Sequence, residues 1–141
     1  MKICFVCYGN ICRSPMAEYI LKQRLRKLGR EKDFIVESRA ISNEEIGKDI
    51  YPPIKDVMDK YNVLYSKHYA YPLKRTDYES FDRFICMDDG NIREIGYIFD
   101  KMDKVSKLLD NDILDPWYTR DFDKAYCDIS RGIDILLEDI I

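Results

Sequence analysis

A short apolar run that ends in a thiol constrains this chain more than any other stretch. Ile3-Cys4-Phe5-Val6 sits within a strand expected over residues 2–7, apolar on both faces, which is the pattern of a strand inside a parallel sheet. Directly after it come Tyr8-Gly9-Asn10-Ile11-Cys12-Arg13-Ser14, and then a helical pattern that opens at Pro15. A buried strand that passes through so short a loop into a helix commits the chain to a β-loop-α start. The loop then gathers a thiol (Cys7), a glycine, an arginine and a helix N-terminus around one small space. Helix N-termini attract anions, because their first N–H groups lack intrahelical partners and carry partial positive charge. The loop therefore reads as an anion cradle with a nucleophile at its base.

The rest of the chain continues the alternation. Ala17, Ile20, Leu21, Leu25 and Leu28 recur at helical spacing from Pro15 to about Leu28, with Ser14 expected as the cap and Pro15 in the first helical position. Phe34 to Glu37 is a second strand, and residues 38–53 read as loop, punctuated by Gly47 and Pro52-Pro53. Ile54, Val57, Met58 and Tyr61 mark a second helix. Residues 62–80 are irregular, with a short helix starting at Thr76-Asp77. A third strand spans Phe81 to Met87, a helix follows over 89–99, and a short fourth strand spans Val105 to Leu109. Asp110 to Arg120 reads as a loop centred on Pro116. The last helix runs from Asp121 to the end, with Phe122, Ala125, Tyr126, Ile129, Ile133, Leu136, Leu137 and Ile140 on its apolar face. Such alternation predicts an α/β fold, a three-layer α/β/α sandwich with a four-stranded parallel sheet. Ligands of these sheets bind beyond the carboxyl ends of the strands, where Cys7 to Ser14 lie.

Size and charge narrow the function. At 141 residues the chain is most economically one domain, 1–141. A net charge of -3 is the wrong sign for a general nucleic-acid or membrane-surface binder, so neither partner is expected. No run approaches the ~20 apolar residues of a membrane span, and no secretory signal is visible. Five cysteines, an odd number, point to reduced thiols and a cytoplasmic protein. With one histidine and no Cys-x-x-Cys pair, no metal site and no cofactor are expected.

Within the loop, Cys7 supplies a nucleophile whose reactive form is the thiolate, stabilised by a helix N-terminus and a nearby arginine. Arg13 presents a planar fork that matches two phosphate oxygens. Gly9 is expected to let the backbone curl so that successive N–H groups point inward. The absence of a Gly-Lys-Ser/Thr ending argues against nucleotide hydrolysis. The missing acid is best supplied by Asp115, in a loop, stiffened by Pro116 and beside aromatic groups. An aspartate before proline also simply starts turns.

These residues together resemble one family. The run Cys7-Tyr8-Gly9-Asn10-Ile11-Cys12-Arg13-Ser14-Pro15-Met16-Ala17-Glu18 is similar to the signature of the low-molecular-weight protein tyrosine phosphatases. Glu37-Ser38-Arg39-Ala40, Glu45-Ile46-Gly47, Phe81-Asp82, Cys86-Met87-Asp88 and Asp115-Pro116-Trp117-Tyr118 follow in the family's order. The resemblance implies a flavodoxin-like fold and hydrolysis of phosphotyrosine, in proteins, peptides or small aryl phosphates, through a cysteinyl-phosphate. It implies Cys7 as nucleophile, Arg13 on the phosphoryl oxygens, and Asp115 as acid and then base. Ser14 would stabilise the thiolate, while Asn10, Ser38 and His68 would brace the loop. Tyr8, Glu45, Trp117 and Tyr118 would wall the pocket, with Glu44 and Lys48 nearby. The resemblance also implies a reversible Cys7–Cys12 disulfide; the residues alone read equally well as a buried small thiol.

The chain departs from the family at Arg39, where a small residue is usual, and in a shortened segment between Met87 and Asp115. Two alternatives share the fold. A thioredoxin-coupled arsenate reductase needs two further cysteines close together, and Cys86 has no such companion. A protein-arginine phosphatase tends to carry threonine where this chain has Ile11.

Overall fold

A computed structural model describes residues 1–141. Four strands, β1 (Lys2–Cys7), β2 (Ile35–Ala40), β3 (Arg83–Cys86) and β4 (Val105–Lys107), form one all-parallel sheet in the order β2-β1-β3-β4. The helices are α1 (Arg13–Lys27), α2 (Pro52–Lys60), α3 (Asp89–Ile95), α4 (Pro116–Thr119) and α5 (Phe122–Ile140). The expected flavodoxin-like sandwich is thus the fold that forms.

β1 is central because it is apolar on both sides. Its alternation sends Ile3, Phe5 and Cys7 into one core layer with residues of α1, α2 and α5. Cys4 and Val6 enter the opposite layer, beside Ile95 of α3. That second layer is largely aromatic: Phe84 meets Phe81 and Phe99 edge-to-face, at centroid distances of 5.5 and 4.8 Å. Phe5 and Phe84 are wholly buried, and each contributes roughly 2–3 kcal/mol of hydrophobic stabilisation. α5 lies close to the sheet through Gly132, where a Cβ would stand 2.5 Å from Leu108 Cγ.

Several boundaries differ from expectation, each for a physical reason. α1 begins at Arg13, not Pro15, with Cys12 at the cap position and no side-chain cap bond. Ser14 is not the cap because its hydroxyl is used elsewhere, against Cys7 and Asn10. Pro15 still falls in the first turn, where a missing N–H costs nothing. β2 continues to Ala40, so Ser38 and Arg39 lie on a strand and not in a loop. Its buried and half-buried residues alternate, as suits an edge strand with one polar face. Pro52 and Pro53 open α2, and α3 stops at Ile95 although Phe99 still packs on the core. The expected loop 110–120 contains the single turn α4.

Candidate active site

The loop after β1 lies beyond the carboxyl end of the central strand, between neighbours reached by opposite crossovers. This switch point is where an open α/β sheet leaves a crevice. A cavity of about 210 Å³ opens there, lined by Cys7, Tyr8, Gly9, Ile11, Cys12, Arg13, Glu44, Glu45, Asp115, Trp117 and Tyr118. Asn10, Ser14, Ser38 and His68 are buried and do not line it. Lys48 stands outside, paired with Glu45 at 2.6 Å.

The cradle follows from the start of α1. Ser14 N–H points at Cys7 Sγ from 3.4 Å, and Ser14 Oγ lies 3.0 Å from the same sulfur. Asn10 Nδ2 donates to Ser14 Oγ at 2.8 Å, which fills an acceptor site of the serine and leaves its proton available to a Cys7 thiolate. Asn10 is fully buried with φ of 59°, so the left-handed residue of the loop is Asn10 and not Gly9. Asparagine tolerates that conformation better than most residues. At Gly9 a Cβ would come within 3.3 Å of Glu45 Cγ, so a larger residue there would push on the Glu45 side chain.

Every polar group of the Asn10 side chain is matched. Its Nδ2 also donates to Ser38 Oγ at 2.9 Å, and its Oδ1 accepts from Tyr71 N at 3.0 Å. The Tyr71 N–H can only donate, which fixes the orientation of the amide. Ser38 passes its own proton to Glu18 Oε1 at 2.7 Å, and Glu18 pairs with Lys22 at 2.6 Å. His68 Nε2 donates to Asn10 O at 2.7 Å, since a carbonyl can only accept. A satisfied buried network of this kind holds one loop shape.

Arg13 is almost fully buried and is anchored rather than free. Its Nη1 donates to Asp88 Oδ2 and to Ile113 O, both at 2.7 Å. The Nε–Nη2 edge is the part left for an oxyanion, with Nη2 3.5 Å from Asp115 Oδ2. Burial alone would lower the Arg13 pKa, but the Cys7 sulfur, Asp115 and Asp88 outweigh it and raise the value. Asp115 Oδ1 accepts from Trp117 N at 3.0 Å, and Oδ2 faces Arg13. Burial, reinforced by Cys7 and Asp115, pushes the Cys12 thiol well above its ordinary range.

Cys86 is wholly buried in the α3-side layer, and burial, then Asp88, pushes its thiol up to about 12. Both features disfavour the relay that an arsenate reductase would need. On the cavity rim, the Glu44 carboxylate beside the Tyr8 hydroxyl raises that tyrosine's pKa.

Sequence reasoning assigned no role to Asp88, Glu18 or Ile113. Asp88 carried a usable signal, since it lies two residues beyond β3 at the binding end of the sheet. Glu18 carried another, as an acid within the buried part of α1.

The chain matches the family model for low molecular weight phosphotyrosine protein phosphatase over residues 2–140. It is 31% identical over 147 residues to the low molecular weight protein-tyrosine-phosphatase PtpA of Staphylococcus aureus (strain MRSA252), covering 99% of this chain and 93% of that protein. The crystal structure of SP-PTP, the low molecular weight protein tyrosine phosphatase from Streptococcus pyogenes, is similar at a TM-score of 0.90 and 31% identity, over 99% of this chain and 93% of that one. YfkJ from Bacillus subtilis superposes at a TM-score of 0.94 with 30% identity, over 99% of this chain and 94% of that one.

Proposed function

The chain belongs to the low molecular weight phosphotyrosine protein phosphatase family, and from that membership we propose how its residues hydrolyse phosphotyrosine in protein or peptide substrates. Cys7 Sγ attacks phosphorus as the thiolate. The bond from phosphorus to the phenolic oxygen breaks, Asp115 gives its proton to that oxygen, and phosphate remains on sulfur. Asp115, now a carboxylate, takes a proton from water as the water attacks phosphorus. The sulfur–phosphorus bond breaks and Cys7 leaves as thiolate, stabilised by the Ser14 hydroxyl. Arg13, through its Nε–Nη2 edge, and the N–H groups of the loop hold the phosphoryl oxygens throughout. Asn10, Ser38 and His68 keep the loop in shape.

One observation supports this reading: Cys7, Arg13 and Asp115 line one cavity, which brings a thiol, an anchored guanidinium and a carboxylate together. Tyr8, Trp117 and Tyr118 give that cavity flat aromatic walls suited to a phenyl ring, and Glu45 forms part of another wall. Ile11, which lines the cavity where arginine phosphatases tend to carry threonine, favours phosphotyrosine over phosphoarginine. Residues 1–141 act as one phosphatase domain, a reading supported by the single sheet with a core on each face. No helix is long and apolar enough to cross a membrane. The five free cysteines suit a reducing, cytoplasmic setting.

Hydrolysis of p-nitrophenyl phosphate and of a phosphotyrosine peptide by wild type and Cys7→Ser tests the reading. Wild type is expected to cleave both in EDTA and the variant neither. Equal activity of the two proteins contradicts the mechanism. A clear preference for phosphoarginine peptides over phosphotyrosine peptides contradicts the choice of substrate.

A further inference from the structure

Three residues other than glycine have left-handed backbone: Asn10, Asn62 and Arg120, with φ of 59°, 59° and 61°. Two are asparagine, which adopts this conformation readily. Arg120 stands out. It closes α4 and turns the chain into α5, a position that glycine or asparagine fills at less cost. A strained residue that persists calls for a reason beyond the turn.

Its side chain supplies one. Arg120 Nη1 donates to the Tyr51 hydroxyl at 2.9 Å, and the guanidinium lies over the rings of Tyr51 and Phe122 at 5.4 and 5.0 Å. Tyr51 in turn packs against the Trp117 ring, with centroids 4.7 Å apart. The Tyr51 backbone N–H donates to Ile11 O at 2.9 Å, within the phosphate-binding loop. Trp117 N is also the group that holds Asp115 Oδ1. One tyrosine therefore touches both halves of the active site, by its backbone on the Cys7 side and by its ring and hydroxyl on the Asp115 side.

We propose that Tyr51 and Arg120 form a clamp that sets the Asp115 loop at its working distance from the Cys7 loop, which makes both of them positioning residues for proton transfer. The inference rests on Asp115 being the general acid. The Tyr51 and Arg120 side chains do not line the cavity, and only the Tyr51 backbone, which Arg120 variants leave in place, reaches the phosphate-binding loop. Loss of the clamp weakens protonation of the leaving group and spares phosphate binding. Poor leaving groups depend most on that protonation.

Arg120→Gly is the decisive variant, because it removes the side chain while easing the left-handed backbone, which offsets the lost contacts. Arg120→Lys keeps a cation of similar reach. Each is compared with wild type and Asp115→Ala for kcat/KM on p-nitrophenyl phosphate and on phenyl phosphate, the poorer leaving group. Inhibition by inorganic phosphate and thermal denaturation are measured alongside. Trp117 is the only tryptophan of the chain, so its fluorescence anisotropy reports the loop directly.

Arg120→Gly is expected to melt no lower than wild type and to bind phosphate within about twofold of it. Its kcat/KM should fall about tenfold with phenyl phosphate and no more than about threefold with p-nitrophenyl phosphate, the scale that a small displacement of a catalytic group produces. Trp117 anisotropy should fall in Arg120→Gly and recover in Arg120→Lys. Equal losses with both substrates, no loss, or unchanged Trp117 anisotropy overturns the clamp. If Asp115→Ala itself loses both substrates equally, the assignment of the acid has failed, and the clamp falls with it.

Discussion

Asn10→Asp changes one nitrogen to oxygen and tests the buried network at its centre. In the native loop Asn10 Nδ2 donates to Ser14 Oγ at 2.8 Å and to Ser38 Oγ at 2.9 Å. The first bond leaves the Ser14 proton for Cys7 Sγ, 3.0 Å away. A carboxylate in the same place can only accept. Ser14 then donates to the carboxylate and the sulfur loses its hydroxyl donor. Ser38, whose proton serves Glu18 at 2.7 Å, faces two acids with one hydrogen. A hydrogen bond to a charged group is worth about 1.5–3 kcal/mol, so kcat should fall between roughly tenfold and a hundredfold. Two lost donors and a new buried charge should cost about 3 kcal/mol of stability, or about 6–12 °C in Tm for a chain of this size.

The assay is steady-state turnover of p-nitrophenyl phosphate at a temperature where circular dichroism shows both proteins folded. The same substitution is then made in a Ser14→Ala background. If Asn10 acts through Ser14, the second substitution should add much less to the loss than it causes alone. A kcat within twofold of wild type, or the full loss repeated in the Ser14→Ala background, would refute the reasoning.

Asp88→Asn should raise the KM for aryl phosphates and the inhibition constant for inorganic phosphate about tenfold, since Arg13 Nη1 loses its charged anchor at 2.7 Å; competitive inhibition assays check this. Gly132→Ala should destabilise the protein by about 1–3 kcal/mol in urea titration, because the new methyl group meets Leu108 at 2.5 Å. Asp49 is held down to about 2: partial burial opposes ionisation, but the Lys55 bond and the backbone N–H groups of His68 and Ile50 outweigh it. A folded pKa below the unfolded one stabilises fully above about pH 4, and that stability disappears as the pH falls toward 2. Denaturation followed across that range should therefore show a smaller acid loss in Asp49→Asn than in wild type.

The parts of the molecule that were legible in the sequence share one property: their signals are local. The two-faced apolar run of β1, the loop from Cys7 to Ser14 and the apolar stripe of α5 each lie within a few turns of chain. Asp115 was legible through its proline and aromatic neighbours. Serine before proline is an ordinary helix start, and only the folded loop shows the Ser14 hydroxyl turned to Cys7 and Asn10 instead of capping the helix. β2 was cut short because Ser38 and Arg39 are polar. Ser38 is polar to serve Asn10 and Glu18, and Arg39 lies over the rings of Tyr71 and Phe81. Glycine is the visible signal for a curled loop, yet the left-handed residue is Asn10, whose amide is hydrogen-bonded at both its nitrogen and its oxygen. The partners of Asp88 and Arg120, Arg13 and Tyr51, are remote in sequence, so no window of the chain contains those contacts.

The central claim is that phosphate passes through the sulfur of Cys7. Acid quenching of the enzyme within milliseconds of mixing with p-nitrophenyl phosphate, followed by peptide mass spectrometry, tests it most directly. One phosphate is expected on the peptide containing Cys7, absent from Cys7→Ser and accumulating in Asp115→Ala, where the water step lacks its base. Turnover with no phosphate on that peptide in any of these proteins, or phosphate on a different residue, would contradict it.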